Sequence, residues 1–178
     1  MKALARLFSV LTLIAILGAG AALIWLRPLP PARDLPPLSG QIDRILVEKA
    51  ARRMTIFRDG QALRSYRVAL GFTPVGPKTR QGDGRTPEGI FQIDRRNDAS
   101  SYHLSLGINY PRPQDITLAE VGGYAAGGDI FFHGQPNAFK GKATLRSDWT
   151  AGCIALSDTE IEQLWDVTPI GTEVEIRP

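Results

Sequence analysis

Residues 7–26 form an apolar run without a charged side chain, behind Lys2 and Arg6. About 20 apolar residues is the length a helix needs to cross a bilayer. The run therefore stands apart from any water-soluble core. Lys2 and Arg6 favour a cytoplasmic N-terminus, and Arg27 and Arg33 on the far side weaken that bias. The alternative is a cleaved signal peptide with Ala19-Gly20-Ala21 as its small-residue site. Leu23-Ile24-Trp25-Leu26 continue the run past that site and favour the anchor. Either way, the rest of the chain is expected outside the cytoplasm, in the periplasmic or extracytoplasmic space, with the cytoplasmic membrane as a partner. Residues 1–27 are read as this anchor or signal segment. Residues 28–40 hold Pro28, Pro30, Pro31, Pro36 and Pro37. Proline-rich segments are stiff and extended, so these residues read as a spacer. The folded domain is expected over residues 41–178.

The net charge of +3 belongs to the leader. Lys2, Arg6, Arg27 and Arg33, less Asp34, account for all of it, leaving 17 basic and 17 acidic residues from Gly40 onward. A nucleic-acid partner would call for a basic stripe, and none stands out.

From Ile42 the texture is that of a β protein. Ile42, Ile45 and Val47 are mixed with charges, Met54-Thr55-Ile56-Phe57 follow, and Asp59-Gly60 is a hairpin signal ahead of a strand over residues 63–70. Thr86-Pro87-Glu88-Gly89 lead into a short strand, Ile90-Phe91-Gln92-Ile93. Ser101 to Leu106 alternates polar and apolar residues, and Asp129-Ile130-Phe131-Phe132 reads as an apolar strand delivering His133. One helix is well signalled. Ser157 and Glu160 make a capping box, and Ile161, Leu164 and Trp165 share a face. Pro169 and Gly171 stop it, and residues 172–176 close the chain as a strand. The expected class is mainly β with one or two short helices, arranged as a sandwich or barrel.

The chain has one cysteine, Cys153, and two histidines, His103 and His133. A lone cysteine in an exported protein is either buried and inert or a reactive thiol. A closed Cys–His zinc site needs more ligands than these, so no metal or other cofactor is expected. Cys153 lies in Trp149-Thr150-Ala151-Gly152-Cys153-Ile154 and His133 in Phe131-Phe132-His133-Gly134. A thiol attacks as thiolate, and an imidazole can take its proton. Gly152 permits a turn at which backbone N–H groups face a developing oxyanion, and Thr150 can hold that loop. On residue types alone, a packed inert cysteine and a strand-end histidine remain the competing reading.

These two segments resemble the signature of the YkuD-type L,D-transpeptidases: His-Gly on a strand, a loop, then Ser or Thr, any residue, Gly and Cys. Sixteen residues separate His133 from Thr150. The resemblance extends to Thr86-Pro87-Glu88-Gly89, Tyr110-Pro111 and Gly171-Thr172-Glu173-Val174, and so spans nearly all of residues 42–178. It implies a β-rich catalytic domain acting on the tetrapeptide stems of peptidoglycan in cell wall biogenesis. The thiolate attacks the carbonyl of the third residue, a diamino acid, expels the terminal D-alanine, and the acyl group passes to an amine. It casts Cys153 as nucleophile, His133 as base, the Gly134 carbonyl as the group orienting the imidazole, and the backbone around Gly152 as oxyanion hole. Many members carry His before the motif glycine and Arg two residues after the cysteine. Here those positions are Ala151 and Ala155. Arg146 and Arg112 are the candidates to bind the substrate carboxylate instead. His103 is assigned to the scaffold and Trp149 to packing, and Asp129 either steadies the loop ahead of His133 or faces solvent. Two alternatives stand beside transpeptidation. The same acyl-enzyme released to water makes a carboxypeptidase or endopeptidase, and an inert cysteine makes a wall-binding module.

Overall fold

The structure, a computed structural model, describes residues 37–139 and 144–178. The described residues belong to one unit, Pro37–Pro178. Residues 1–36, with the expected anchor and most of the spacer, lie outside them. Among the described residues no helix is long and apolar enough to cross a membrane.

Eight strands form the frame. β1 (Arg44–Glu48) alternates as expected, burying Ile45 and Val47. β2 (Arg53–Arg58) buries Met54 and Ile56 and turns through Asp59 and Gly60 into β3 (Gln61–Arg67). Asp59 and Gly60 both have positive φ, 49° and 75°, as a two-residue hairpin turn whose twist matches its strands requires. β4 is longer than its apolar core suggests, running from Gly89 to Ser100. Residues 89–92 pair with β8 (Glu173–Arg177), while residues 93–100 pair with β5 (His103–Ile108). Irregularities after Ile93 and Asn97 bend β4 between these partners. β6 is only Phe131–His133 and β7 only Ile154–Ala155.

The strand order is β3-β2-β1-β8-β4-β5-β6-β7, antiparallel except for β1 with β8 and β6 with β7. Ala69, just past β3, exchanges both backbone hydrogen bonds with Ala155 of β7, at 2.9 and 2.8 Å. The two ends of the strand order thus meet, so the sheet wraps round its core as the mainly β reading expects. Phe91, Ile93, Leu106, Ile108, Phe132, Ile154, Val174 and Ile176 fill that core.

Among the described residues two α-helices and a 3-10 turn, Asn137–Phe139, complete the unit. α1 (Pro113–Val121) is capped at Arg112, with Asp115 bonding back to the Arg112 N–H. It buries Ala119 but leaves Ile116, Leu118 and Val121 exposed. With apolar residues on several faces it has no single stripe, so no helical period announces it. α2 (Asp158–Val167) starts at the Ser157–Glu160 capping box and buries Ile161 and Leu164 as expected. Val167, rather than Trp165, completes its buried face. Trp165 stays half-buried, with the Arg96 guanidinium 3.9 Å above its ring.

Candidate active site

The shortest strands do most to position the site. Parallel pairing sets His133, the last residue of β6, opposite Ala155 of β7. Cys153 lies two residues before Ala155, and alternation places residues two apart on one face. Both side chains line one cavity of about 510 Å³. Tyr102, Phe131, Trp149 and Thr150 also line it, with Asn97, Ser100, Ser105 and Asp129 among its polar members.

The cysteine loop is tied down on both sides. The Thr150 hydroxyl donates to the Cys153 carbonyl at 2.8 Å and accepts from the Gly152 N–H at 3.1 Å. The Thr150 N–H donates to Leu70 O, and Phe72 N–H donates to Thr150 O. Asp148, one turn back, accepts from Leu70 N–H and from Arg52 at 2.7 Å. Gly152 sits at φ 138°, a left-handed backbone, and a Cβ there would come within 2.7 Å of the Arg85 carbonyl oxygen. Glycine is therefore required both by conformation and by the close approach of the neighbouring loop.

The Gly152 N–H is engaged by Thr150. The oxyanion contribution expected of this backbone therefore falls to its neighbours. Among the described residues neither the Ala151 nor the Cys153 N–H has an acceptor.

His133 is buried, and its Nδ1 lies 2.7 Å from the Gly134 carbonyl oxygen. A carbonyl accepts only, so Nδ1 carries the proton and Nε2 is left with its lone pair. Tyr102 packs against the imidazole at 4.7 Å with its ring tilted by 41°, and Trp149 meets it edge-on at 5.5 Å. Burial pushes the His133 pKa below its ordinary value, against the opposing effect of the Gly134 carbonyl. Burial likewise pushes the Cys153 thiol up. The Phe131 N–H opposes this, Asp129 adds to it, and Lys78 and Arg95 oppose it. Both shifts favour the neutral forms, a protonated thiol and a neutral imidazole. The thiol donates to the Asp129 carbonyl oxygen at 3.4 Å.

The other residues singled out from sequence divide. His103 Nε2 pairs with Glu162 at 2.7 Å, a link between β5 and α2 that suits a scaffold position. Trp149 packs as expected, yet it is also a cavity wall whose buried Nε1 has no partner among the described residues. The two carboxylate-binding candidates fail on placement. Arg112 is held bidentate by Asp115, donates to Ile90 O and lies over Phe91. Arg146 lines a separate small groove with Arg67, Ala155 and Ser157. Neither lines the Cys153 cavity or touches the residues that do; Arg95 does not line it either, but its guanidinium contacts Phe131 and Asp129, which do. The cations whose charge reaches the thiol are Lys78 and Arg95. Lys78 is committed to a buried pair with Asp83 at 2.9 Å. Sequence reasoning missed Arg95, since an arginine in a polar strand carries no local mark of its partners. Among the described residues no group of three or more His, Cys, Asp or Glu is set to hold a metal ion.

The YkuD family, described as the L,D-transpeptidase catalytic domain, matches residues 42–176. YafK of Escherichia coli (strain K12), which carries an L,D-transpeptidase name, is 26% identical over 107 residues, covering 59% of this chain and 37% of YafK. The fold resembles that of the helical cell shape determining protein Pgp2 from Campylobacter jejuni. The TM-score is 0.60 at 23% identity, covering 78% of this chain and 48% of Pgp2. It also resembles an L,D-transpeptidase from Xylanimonas cellulosilytica, with a TM-score of 0.51 at 18% identity, covering 85% of this chain and 64% of the other. The chain spans less than two thirds of the length of each of these relatives.

Proposed function

The chain belongs to the YkuD family of L,D-transpeptidase catalytic domains, and on that premise we propose that it is a cysteine-dependent acyl transferase acting on peptidoglycan stem peptides outside the cytoplasmic membrane. One observation carries the chemistry. Cys153 and His133 line the same cavity, and the Gly134 carbonyl holds the imidazole in the tautomer whose Nε2 can accept a proton.

In this reading, His133 Nε2 takes the proton from Cys153 Sγ as sulfur attacks the carbonyl carbon of the third stem residue. The Cys153 and Ala151 N–H groups face the oxyanion. When the tetrahedral intermediate collapses, the bond to the D-alanine nitrogen breaks and His133 returns the proton to that leaving amine. A thioester remains on Cys153. An acceptor amine then attacks the thioester and gives its proton to His133, which passes it to the departing sulfur. The products are a new amide and the free thiol. Water as acceptor would give a carboxypeptidase by the same steps. Burial favours the neutral form of each group, which fits a concerted proton transfer. The apolar run at residues 7–26 supports an extracytoplasmic placement, where such stems are found.

The test is incubation with disaccharide-tetrapeptides followed by mass measurement. Release of D-alanine with a crosslinked dimer is expected, and both are lost in Cys153→Ala. Product formed equally by that folded variant would overturn the assignment. His133→Ala should lower the rate by about 10²–10⁴, the usual contribution of a positioned general base.

A further inference from the structure

Arg95, Gly107 and Phe131 form a row across three strands. Arg95 of β4 faces Gly107 of β5, and Gly107 faces Phe131 of β6. Glycine inside a strand weakens it and often marks a close approach. What approaches here is the arginine: a Cβ on Gly107 would lie 2.6 Å from Arg95 Cγ and 2.8 Å from its Nε. The side chain crosses β5 over the glycine and brings its guanidinium 4.6 Å from the centre of the Phe131 ring. There Nη1 is held by Asp94 at 2.8 and 2.9 Å and by Ile108 O at 3.3 Å. Nη2 makes only a 3.3 Å contact with Asp129, and Nε has no partner among the described residues. On the side edge of the fork Nε is open, and a carboxylate bound there would share Nη2 with Asp129.

Asp129 is the other half of the arrangement. Its backbone carbonyl accepts from the Cys153 thiol, while its carboxylate stands 90% exposed at the cavity rim. A half-exposed cation and an exposed anion stand 3.3 Å apart beside the nucleophile in a fixed order, with Asp94 holding the cation from its other nitrogen. Such a pair complements an amino-carboxylate, whose carboxylate meets the guanidinium and whose ammonium meets Asp129.

We propose that Arg95 and Asp129 read the far end of the donor's diamino acid, favouring a side chain that ends in both an ammonium and a carboxylate over one that ends in an ammonium alone. This rests on the acyl-transfer reading, and it assigns the carboxylate recognition that Arg112 and Arg146 do not supply. Asp129 serves both donor types, because both carry the ammonium. Arg95 serves only the one with the carboxylate.

Binding is measured with the Cys153→Ala chain, so that nothing turns over. The probes are a tetrapeptide stem with meso-diaminopimelate as third residue and the same stem with L-lysine. The first should bind about tenfold more tightly, the effect of one charge-assisted contact discounted for solvent. Adding Arg95→Gln should bring the ratio of the two dissociation constants close to one. Arg95→Lys, which keeps the charge without the fork, should retain part of it. Asp129→Asn should weaken both stems and leave their ratio in place. Equal binding of the two stems, or a preference that survives Arg95→Gln, overturns the proposal. Because no turnover is read, such a result leaves the D-alanine release test of the acyl-transfer reading standing. A chain that releases no D-alanine can still show the preference.

Discussion

At the scale of single residues, the site is organised by where protons rest. The Nδ1 proton of His133 is directed to Gly134, which leaves Nε2 as the accepting atom. Burial favours the neutral imidazole and the protonated thiol. The sign of the pH dependence follows. Deprotonation of Cys153 is disfavoured in the folded chain, so its alkylation by iodoacetamide should climb with pH only above the free-cysteine range near ~8.5. A thiolate–imidazolium pair would instead react on a plateau below that range, and a plateau between pH 5 and pH 7 would refute the neutral pair. His103→Ala should leave the profile in place, because that ring is engaged by Glu162. The two groups titrate as a pair, so the profile reports apparent constants.

At the scale of elements, the loop over residues 72–88 is a working part of the site, because it presses on Gly152 and Gly71. Two buried lysines hold it. Lys49 donates to Gly76 O, Thr86 O and Glu88, and Lys78 pairs with Asp83. Burial pushes the Asp83 carboxyl up, but the Thr79 N–H, the Lys78 ammonium and the Arg85 and Arg80 N–H groups outweigh it and bring its pKa down to about 2 from 3.8. A folded-state pKa below the unfolded value stabilises the protein above the unfolded pKa. That stability is lost as pH falls through the folded one. Asp83 should therefore contribute about 2 kcal/mol near neutral pH, fading between pH 4 and pH 2. Denaturant melts of Asp83→Asn should show that loss at pH 7 and a flatter acid limb. An unchanged acid limb would mean the carboxylate does not hold the loop. The amides of Thr79, Arg80 and Arg85 should exchange faster in the same variant.

At the scale of the whole molecule, closure of the sheet through Ala69 and Ala155 makes the site dependent on the complete fold. The cysteine loop is fastened to the segment after β3, and β6 lies beside β5 and β7. Among the described residues the core draws its side chains from Leu38 onward. A fragment of residues 37–178 is therefore expected to fold, remain in solution and keep its D-alanine release, while the full chain partitions into the membrane fraction. Circular dichroism, fractionation and turnover of the two forms check this. A fragment that fails to fold would show that the first 36 residues complete the core.

The sequence by itself determined what depends on neighbours a few positions away. Alternation marked β1 and β2, Asp59-Gly60 marked the hairpin, the Ser157–Glu160 box marked α2, and the two short motifs marked Cys153 and His133. Each signal is local, so each could be read before the chain was folded. The tertiary structure decided what depends on distant partners. The polar half of β4 is a strand because β5 pairs with it, and α1 carries no apolar stripe to announce it. Gly152 lends its turn but not its N–H, because the Thr150 hydroxyl has taken it. Among the described arginines, Arg95 reaches Phe131 and Asp129 at the cavity, since Gly107 in the next strand lets it cross. A cation's role is set by what lies within a few ångströms of its tip, and for a long flexible side chain only long-range strand pairing decides that.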